Sequence, residues 1–417
     1  MAVDMSALPI GNWVDGEYIV KLLADLVRVP SINPPGGEGP VAAIIARELR
    51  EIGLDVEIIE SAPDRPNVVG VLRGDTGTPT LLLNGHMDVQ PAGSGWEHDP
   101  FTPIIRDGAL YGRGALDMKA GLAAMVGAAR ALASSPYRTQ GTLLLTAVAD
   151  EVSGGFMGTG YLVREKLLKG AFPRPDMAVV CEPSGDEVRV AHRGTVWIEL
   201  LARGISAPAS RPWLGSNAIM KMAHGLVALD KHLPPLMARK THWILPSPTF
   251  SVGVIDGGLK PNMVPEICRA VIDRRTLPGE TSATVLREVR GILDECAGEV
   301  GSAIELRQLL EVEPAEVSPS EKIVVECQRA FKQVTQREAP IGCTAGFEDM
   351  HFLLNEAHIP TAMFGPYRSK GKAEGGLSAS QSTTASTPAE NVDLESVVTS
   401  AKVYAQLAVN VLKARCG

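Results

Sequence analysis

The 417-residue chain is long enough for two domains with a large core, and its 45% hydrophobic and 21% charged residues are ordinary for a globular protein. A formal net charge of −8 and a pI near 5.6 argue against a nucleic-acid binder, which needs clustered Lys and Arg to neutralise phosphates. No run of about 18 apolar residues suggests a membrane span, and the opening stretch MAVDMSALPIGNWVDGEY carries acids and no apolar core of a signal peptide.

Residues 16–29 and 40–53 place apolar side chains at helical spacing. Short apolar runs follow: DVEIIE, NVVGVLRG, TLLLNG, GTLLLTAVA and MAVVCE, with the helical stretch AGLAAMVGAARALASS among them. Strands apolar on both faces belong in a central sheet covered by helices. From about residue 193 the rhythm changes. TVWIELLARG, TFSVGVIDGG, EICRAVIDRR and AIELRQLLEV read as strands, and SNAIMKMAHGLVALDKHL and SATVLREVRGILDECAGEV as helices. Their β-α-β-β-α-β order matches a ferredoxin-like split βαβ domain. Residues 321–335, 346–356 and 392–415 read as helices, with a strand at IPTAMFG.

The expectation is therefore an α/β protein with an inserted domain. Residues 1–192 and 312–417 form a catalytic domain with a central mixed sheet flanked by helices, and residues 193–311 form the ferredoxin-like insertion. The polar loop 367–391 is either a mobile connection or, through the basic residues of YRSKGKAEGG, a contact to an anionic substrate. Cys181, Cys268, Cys296, Cys327, Cys343 and Cys416 are scattered with no CxxC pair, which reads as free thiols in a reducing, cytoplasmic setting.

Four stretches carry chemistry. In GHMDVQPAG, His86 ends an apolar strand, where open α/β sheets place their ligands, and Asp88 is spaced to hydrogen-bond the second ring nitrogen. GRGALDMKAG puts Asp117 just ahead of a helix, TAVADEVSGGFMGTG puts Asp150 and Glu151 after a strand, and VVCEPSG ends a strand with Glu182. Taken singly, each has a structural explanation: a loop histidine, a helix N-cap, a solvated acid pair, a strand terminator. Taken together, one imidazole and three carboxylates at strand ends, spaced 31, 34 and 31 residues apart, describe a divalent-cation site. Zinc is the favoured ion, with cobalt or manganese possible.

These motifs, with SINPPGGEG, GSNAI, GGLKPNMVP, DRRTLPGET, FEDMHFL and IPTAMFGP in order, resemble the co-catalytic zinc amidohydrolases that include acetylornithine deacetylase, succinyl-diaminopimelate desuccinylase, aminoacylase and carboxypeptidase G. The resemblance spans nearly the whole chain. It implies two zinc ions bridged by Asp117, with a cis peptide after that residue. His86 and Glu182 complete one metal position, and Glu151 acts as the general base on the attacking water. The inserted domain serves as lid and dimerisation domain, with Asn262 and Arg275 binding a small substrate through its carboxylate. A homodimer is expected, and neither nucleic acid nor membrane.

Three positions depart from the family pattern. Val152 stands where the second metal takes a carboxylate, unless a one-residue shift makes Asp150 the base and Glu151 the ligand. Ser386, in STTASTPAENV, replaces that metal's histidine. Pro208 occupies the place of a lid histidine that stabilises the oxyanion, and a proline has no side-chain donor. His351 is the nearest substitute ligand in sequence, although a packed helical histidine is the commoner outcome. Three functions compete: an amide hydrolase of N-acylated amino acids or small peptides, working with one zinc or with two held by an unusual ligand set; a repurposed biosynthetic enzyme with altered or non-hydrolytic acyl chemistry; and a non-catalytic dimeric binding protein. Retention of His86, Asp88, Asp117, Glu151, Glu182, Asn262 and Arg275 favours the first. A scaffold alone has no physical reason to keep a pocket of repelling carboxylates.

Overall fold

A computed structural model describes residues 9–296, 304–368 and 387–416. The chain divides into two compact units, the first Met1–Val190, Val317–Gly342 and Glu348–Gly417, the second Ala191–Glu316 and Cys343–Phe347.

The first unit is built on a mixed sheet. Its strands run in the order Asp55–Ala62, Arg65–Leu72, Gly141–Val148, Gly77–His86, Met177–Val180, Thr361–Met363 and Val188–His192. The four from Gly141–Val148 to Thr361–Met363 are mutually parallel, and the flanking pairs are antiparallel. Every residue of Gly141–Val148 is buried, as expected for a parallel strand covered on both faces. The helices Gly16–Val27, Gly39–Ile52, Ala120–Ser134, Lys322–Thr335 and Leu394–Val411 belong to this unit. Asp15 caps the first of them by accepting the Tyr18 N–H, and Asp393 caps the last through Ser396 N–H.

Ten of the fifteen residues of the helix Ala120–Ser134 are Ala, Gly or Ser, and the helix is almost wholly buried. Its Gly121 permits a very close approach, since a Cβ there would lie 2.1 Å from the Cys181 carbonyl oxygen. This contact draws the segment after Asp117 against the strand end before Glu182.

The second unit has the β-α-β-β-α-β order of a ferredoxin-like domain. Its antiparallel sheet has the order Phe250–Gly257, Ile267–Thr276, Gly194–Arg203, Ile304–Val312, with the helices Ala218–Met237 and Ser282–Cys296. Inward residues of the strand Ile267–Thr276 alternate strictly, and Cys268, Ala270 and Ile272 join Leu229, Leu233, Val289 and Leu293 in one core.

Two helical expectations shift. Of residues 346–356 only 350–356 are helical, because the Asp349 side chain is anchored on Thr159 Oγ1 at 2.8 Å and holds the preceding residues out of the helix. Asn391–Asp393 form a short strand against Ala109–Tyr111, so the last helix starts at Leu394. Ser386 and most of the loop 367–391 lie outside the described residues.

Candidate metal centre and active site

Adjacent parallel strands deliver the functional groups to one place. His86 is the last residue of Gly77–His86 and pairs with Val148, the last of Gly141–Val148. The chain then turns through Asp150 into Glu151. On the other side, Met177–Val180 leads through Cys181 to Glu182. Asp117 arrives from the segment ahead of Ala120–Ser134 and is followed by a cis peptide to Met118, as the family resemblance implied. It does not cap that helix: the N-cap is Lys119, without a side-chain bond.

The distances are short. His86 Nε2 lies 3.0 Å from Asp117 Oδ1, 3.2 Å from Glu182 Oε1 and 3.6 Å from Glu151 Oε2. His86, Asp117 and Glu182 each offer a ligand atom within 4.8 Å of the others, and so do Glu151, Glu182 and Glu348. Glu182 Oε1 is buried without a hydrogen-bond partner. A buried imidazole nitrogen and carboxylate oxygens converging in this way fit a divalent cation.

The electrostatics follow from crowding. Burial of the His86 ring opposes its charged form, but Glu182, Glu151, Asp117 and Asp88 outweigh that and hold it well above its ordinary value. Burial pushes the Glu151 carboxyl well above its ordinary range, and Glu348, Glu182 and Asp349 add to this against the pull of His86. Burial, Glu182 and Asp117 likewise raise Glu348 well above its ordinary value. Asp349 is pushed up to about 7, chiefly by burial.

Further residues fix the turn and the ligands. The ring nitrogen Nδ1 of His86 is paired at 2.9 Å with the carbonyl oxygen of Asp88, whereas the Asp88 carboxylate stands 3.4 Å away. The ring is thus held by the Asp88 backbone with the Asp88 carboxylate beside the same nitrogen. The carboxylate has other partners: it accepts from the N–H groups of Glu151 at 3.2 Å and Val152 at 3.1 Å, and from Asn33 Nδ2 at 2.8 Å. Asp150 adopts φ +72°, accepts the Met157 N–H at 3.1 Å, and lies 3.5 Å from Arg65. Asp150 is therefore committed to the turn, and Glu151 is the acid that faces His86. The alternative assignment of Asp150 as base does not fit this geometry.

Glu390 is fully buried, receives Arg113 at 2.6 Å, and accepts the backbone N–H of Leu116 at 3.0 Å and of Asp117 at 3.2 Å. Lys119 is buried with Nζ donating to the Val29 carbonyl at 2.7 Å.

Other expected residues lie elsewhere. Val152 is half-buried beside Glu151 and offers no donor atom. His351 belongs to neither cluster of metal-ligating groups; its Nδ1 lies 2.9 Å from the Glu348 carbonyl, its ring packs on Phe352, and burial lowers it to about 4. It is a packed histidine and not a replacement ligand. Asn262, Arg275 and Pro208 belong to the second unit. There the Asn262 carbonyl accepts from Ala209 N–H at 3.0 Å, Pro208 bridges to Met263, and Arg275 pairs with Asp273 at 2.9 Å and covers the Phe347 ring.

Sequence reasoning missed Glu348, Asp349 and Glu390. The first two sit in FEDMHFL, an adjacent acid pair like Asp150-Glu151, and that pairing was the available signal. Glu390 sits in ASTPAENV, four residues beyond the serine that drew attention.

Comparison with known proteins identifies the family. The description of peptidase family M20/M25/M40 matches residues 82–410. A succinyl-diaminopimelate desuccinylase of Acidiphilium cryptum is 29% identical over 351 residues, 83% of this chain and 89% of that protein. Another, from Rhizorhabdus wittichii, is 32% identical over 345 residues, 80% and 86% of the two chains. Among solved structures, the di-peptidase Dug1p of Saccharomyces cerevisiae superposes with a TM-score of 0.77 at 14% identity, over 99% of both chains. The metallo-carboxypeptidase Sso-CP2 of Sulfolobus solfataricus gives 0.74 at 18%, over 94% and 99%. At these identities the structures attest the shared fold, and the sequence matches carry the kinship. The chain belongs to peptidase family M20/M25/M40.

Proposed function

We propose that this metal-dependent amide hydrolase removes the acyl group from an N-acylated amino acid, using zinc held by His86, Asp117 and Glu182 with Glu151 as general base. The observation that carries the reading is the convergence of these three ligand groups within 4.8 Å of one another, with Glu151 3.6 Å from the same imidazole. A zinc ion held by these residues would supply Lewis acidity toward the scissile carbonyl and would acidify a water molecule. Glu151 would take a proton from the attacking water as its oxygen bonds to the carbonyl carbon, and return it to the amine nitrogen as the C–N bond breaks. A carboxyl raised by burial is suited to both steps. Asp88 holds the Glu151 and Val152 amides, and Glu390 holds the Asp117 amide, so the groups are set before substrate arrives.

One cation is proposed and not two. Val152 gives no ligand at the second position, and the described groups around His86 contain no second imidazole. The substrate class follows from the relatives, which are named for removing a succinyl group, and from Arg275, whose guanidinium suits a substrate carboxylate. The second unit is proposed as lid and dimerisation domain. Its edge strand Phe250–Gly257 leaves Val252, Val254 and Ile255 exposed at 40%, 45% and 57%, which suits pairing with a second copy. A cytoplasmic location fits the buried free thiols of Cys181, Cys268 and Cys327.

The test is metal content per chain before and after zinc reconstitution, with assays on N-acetyl and N-succinyl amino acids. One bound zinc with hydrolysis supports the reading. Two zincs overturn the one-cation site, and no metal with no hydrolysis overturns the hydrolase.

A further inference from the structure

Behind the turn that carries Glu151 lies a buried polar cluster that the ligand set does not use. Arg65 opens the strand Arg65–Leu72, which pairs with the strand Gly141–Val148 leading into the turn. Its guanidinium donates to Glu38 Oε1 at 2.7 Å, Asn33 Oδ1 at 3.0 Å and the Pro35 carbonyl at 2.7 Å. Gly36, with φ +106°, makes room for it: a Cβ there would stand 2.4 Å from the Arg65 Cζ. Glu38 is fully buried.

The partners of Arg65 reach the catalytic turn directly. Asn33 Nδ2 donates to Asp88 Oδ2 at 2.8 Å and to Asp150 Oδ1 at 3.4 Å. Glu38 Oε1 accepts the Asp150 N–H at 3.4 Å, and Arg65 itself lies 3.5 Å from Asp150 Oδ1. Asp88 in turn accepts the N–H groups of Glu151 and Val152. The left-handed φ of +72° at Asp150, uncommon for a residue with a side chain, is the bend that points Glu151 back toward His86.

We infer that Arg65 is a positioning residue for the reaction: through Asn33, Glu38 and Asp150 it holds the Asp150–Glu151–Val152 turn in the conformation that presents Glu151 beside His86. The inference rests on the reading of Glu151 as general base. Three acceptors arranged around one planar fork suit arginine and not lysine, whose ammonium is a point charge. Removing the guanidinium also leaves the buried Glu38 carboxylate without its cation, so the cluster has to rearrange.

The experiment compares R65K, R65A and E151Q with the wild-type enzyme, using the N-acetyl or N-succinyl amino acid that the wild type hydrolyses. Metal content, thermal midpoint, kcat and KM are measured, together with amide hydrogen exchange over residues 148–158. R65K is expected to fold, keep its metal and keep KM within about twofold. Its kcat falls at least about tenfold, and exchange at the Glu151 and Val152 amides speeds up while the Gly16–Val27 helix is unchanged. In R65A, added guanidinium ion restores part of kcat and methylammonium does not.

R65K with wild-type kcat and exchange, alongside an inactive E151Q, overturns the inference and leaves the base assignment standing. Loss of metal and a risen KM in R65K overturn it as well, since Arg65 is then a general structural residue. E151Q with wild-type kcat overturns the base assignment itself. Should R65A not fold, R65K and its exchange decide the matter.

Discussion

Zinc binding to the metal-free protein is expected to expel a proton from His86, and the affinity should follow pH accordingly. The nearest carboxylate oxygens stand 3.0, 3.2 and 3.6 Å from Nε2. At an effective dielectric constant of about 20, one carboxylate at about 3.2 Å favours the imidazolium by about 5 kcal/mol, while burying the charged ring costs several kcal/mol. Two or more such neighbours outweigh the burial, so the ring is held well above 6.5. Zinc needs the neutral ring's lone pair, so one proton leaves for each ion bound. Below the ring's folded pKa the apparent affinity then rises tenfold per pH unit. Each pH unit below that point is worth about 1.4 kcal/mol of apparent binding free energy. Competition with a chelator of known affinity reads the constant, and calorimetry in buffers of different ionisation enthalpy counts the protons. A flat affinity with no proton released would refute the reasoning, because His86 would then be neutral among its carboxylates.

The metal-free protein should lose stability as pH rises. Glu151, Glu348 and Asp349 are all raised, chiefly by burial, Asp349 from 3.8 to about 7, and His86 is raised too. Between the unfolded carboxyl values near about 4 and at least about 7, the folded chain holds more protons, so its stability is full below that window and declines through it. Bound zinc should reverse the slope, and melting temperatures with and without metal across pH check both signs. Glu151→Gln should lower kcat by about 10²–10⁴-fold with metal content unchanged, checked by steady-state kinetics beside metal analysis. Gly121→Ala places a methyl 2.1 Å from the Cys181 carbonyl, so helix and strand must part. A loss of about 1–3 kcal/mol in denaturant unfolding and weaker zinc binding are expected, since both Asp117 and Glu182 flank that contact.

The sheet, the order of strands and helices in the second unit, and the places of His86 and Glu182 at strand ends were legible because each is written in local pattern. Buried parallel strands are continuous apolar runs, and a ligand at a strand's end follows immediately after one, as Glu182 does after MAVV. Glu348 was hidden because helical spacing from 346 onward overrode the preference of Glu348 and Asp349, whose side chains are drawn inward by contacts that are distant in sequence. Asp349 meets Thr159 at a separation of 190 residues. Glu390 was hidden for the same reason: its partners Arg113, Leu116 and Asp117 lie more than 270 residues away. Asp88 was read as a partner of the ring, and the structure puts its carbonyl 2.9 Å and its carboxylate 3.4 Å from Nδ1. Sequence spacing places its residue beside His86 but does not say whether the carboxylate or the carbonyl makes the bond.

Charge balance gives Glu348 its role. Asp117, Glu151 and Glu182 face His86, and the Glu348 carboxylate lies within 4.8 Å of those of Glu151 and Glu182. One dication with a neutral imidazole compensates two negative charges, which leaves more buried carboxylates than the ion can balance. Protons must settle on the rest. Glu348 is outside the His86, Asp117 and Glu182 set and is raised well above its ordinary value by burial, with Glu182 and Asp117 adding to it. We predict that Glu348 keeps a proton when zinc binds and, as a neutral acid, donates to Glu182, leaving the other Glu182 oxygen for the metal. Partners that orient a ligand in this way carry about 10–100-fold in metal affinity. Glu348→Gln keeps a donor without a charge and should bind zinc within a few-fold of wild type. Glu348→Ala removes the donor and should bind about 10–100-fold more weakly. The opposite order, with the glutamine variant as weak as the alanine one, would mean that Glu348 is ionised and bound to the metal directly.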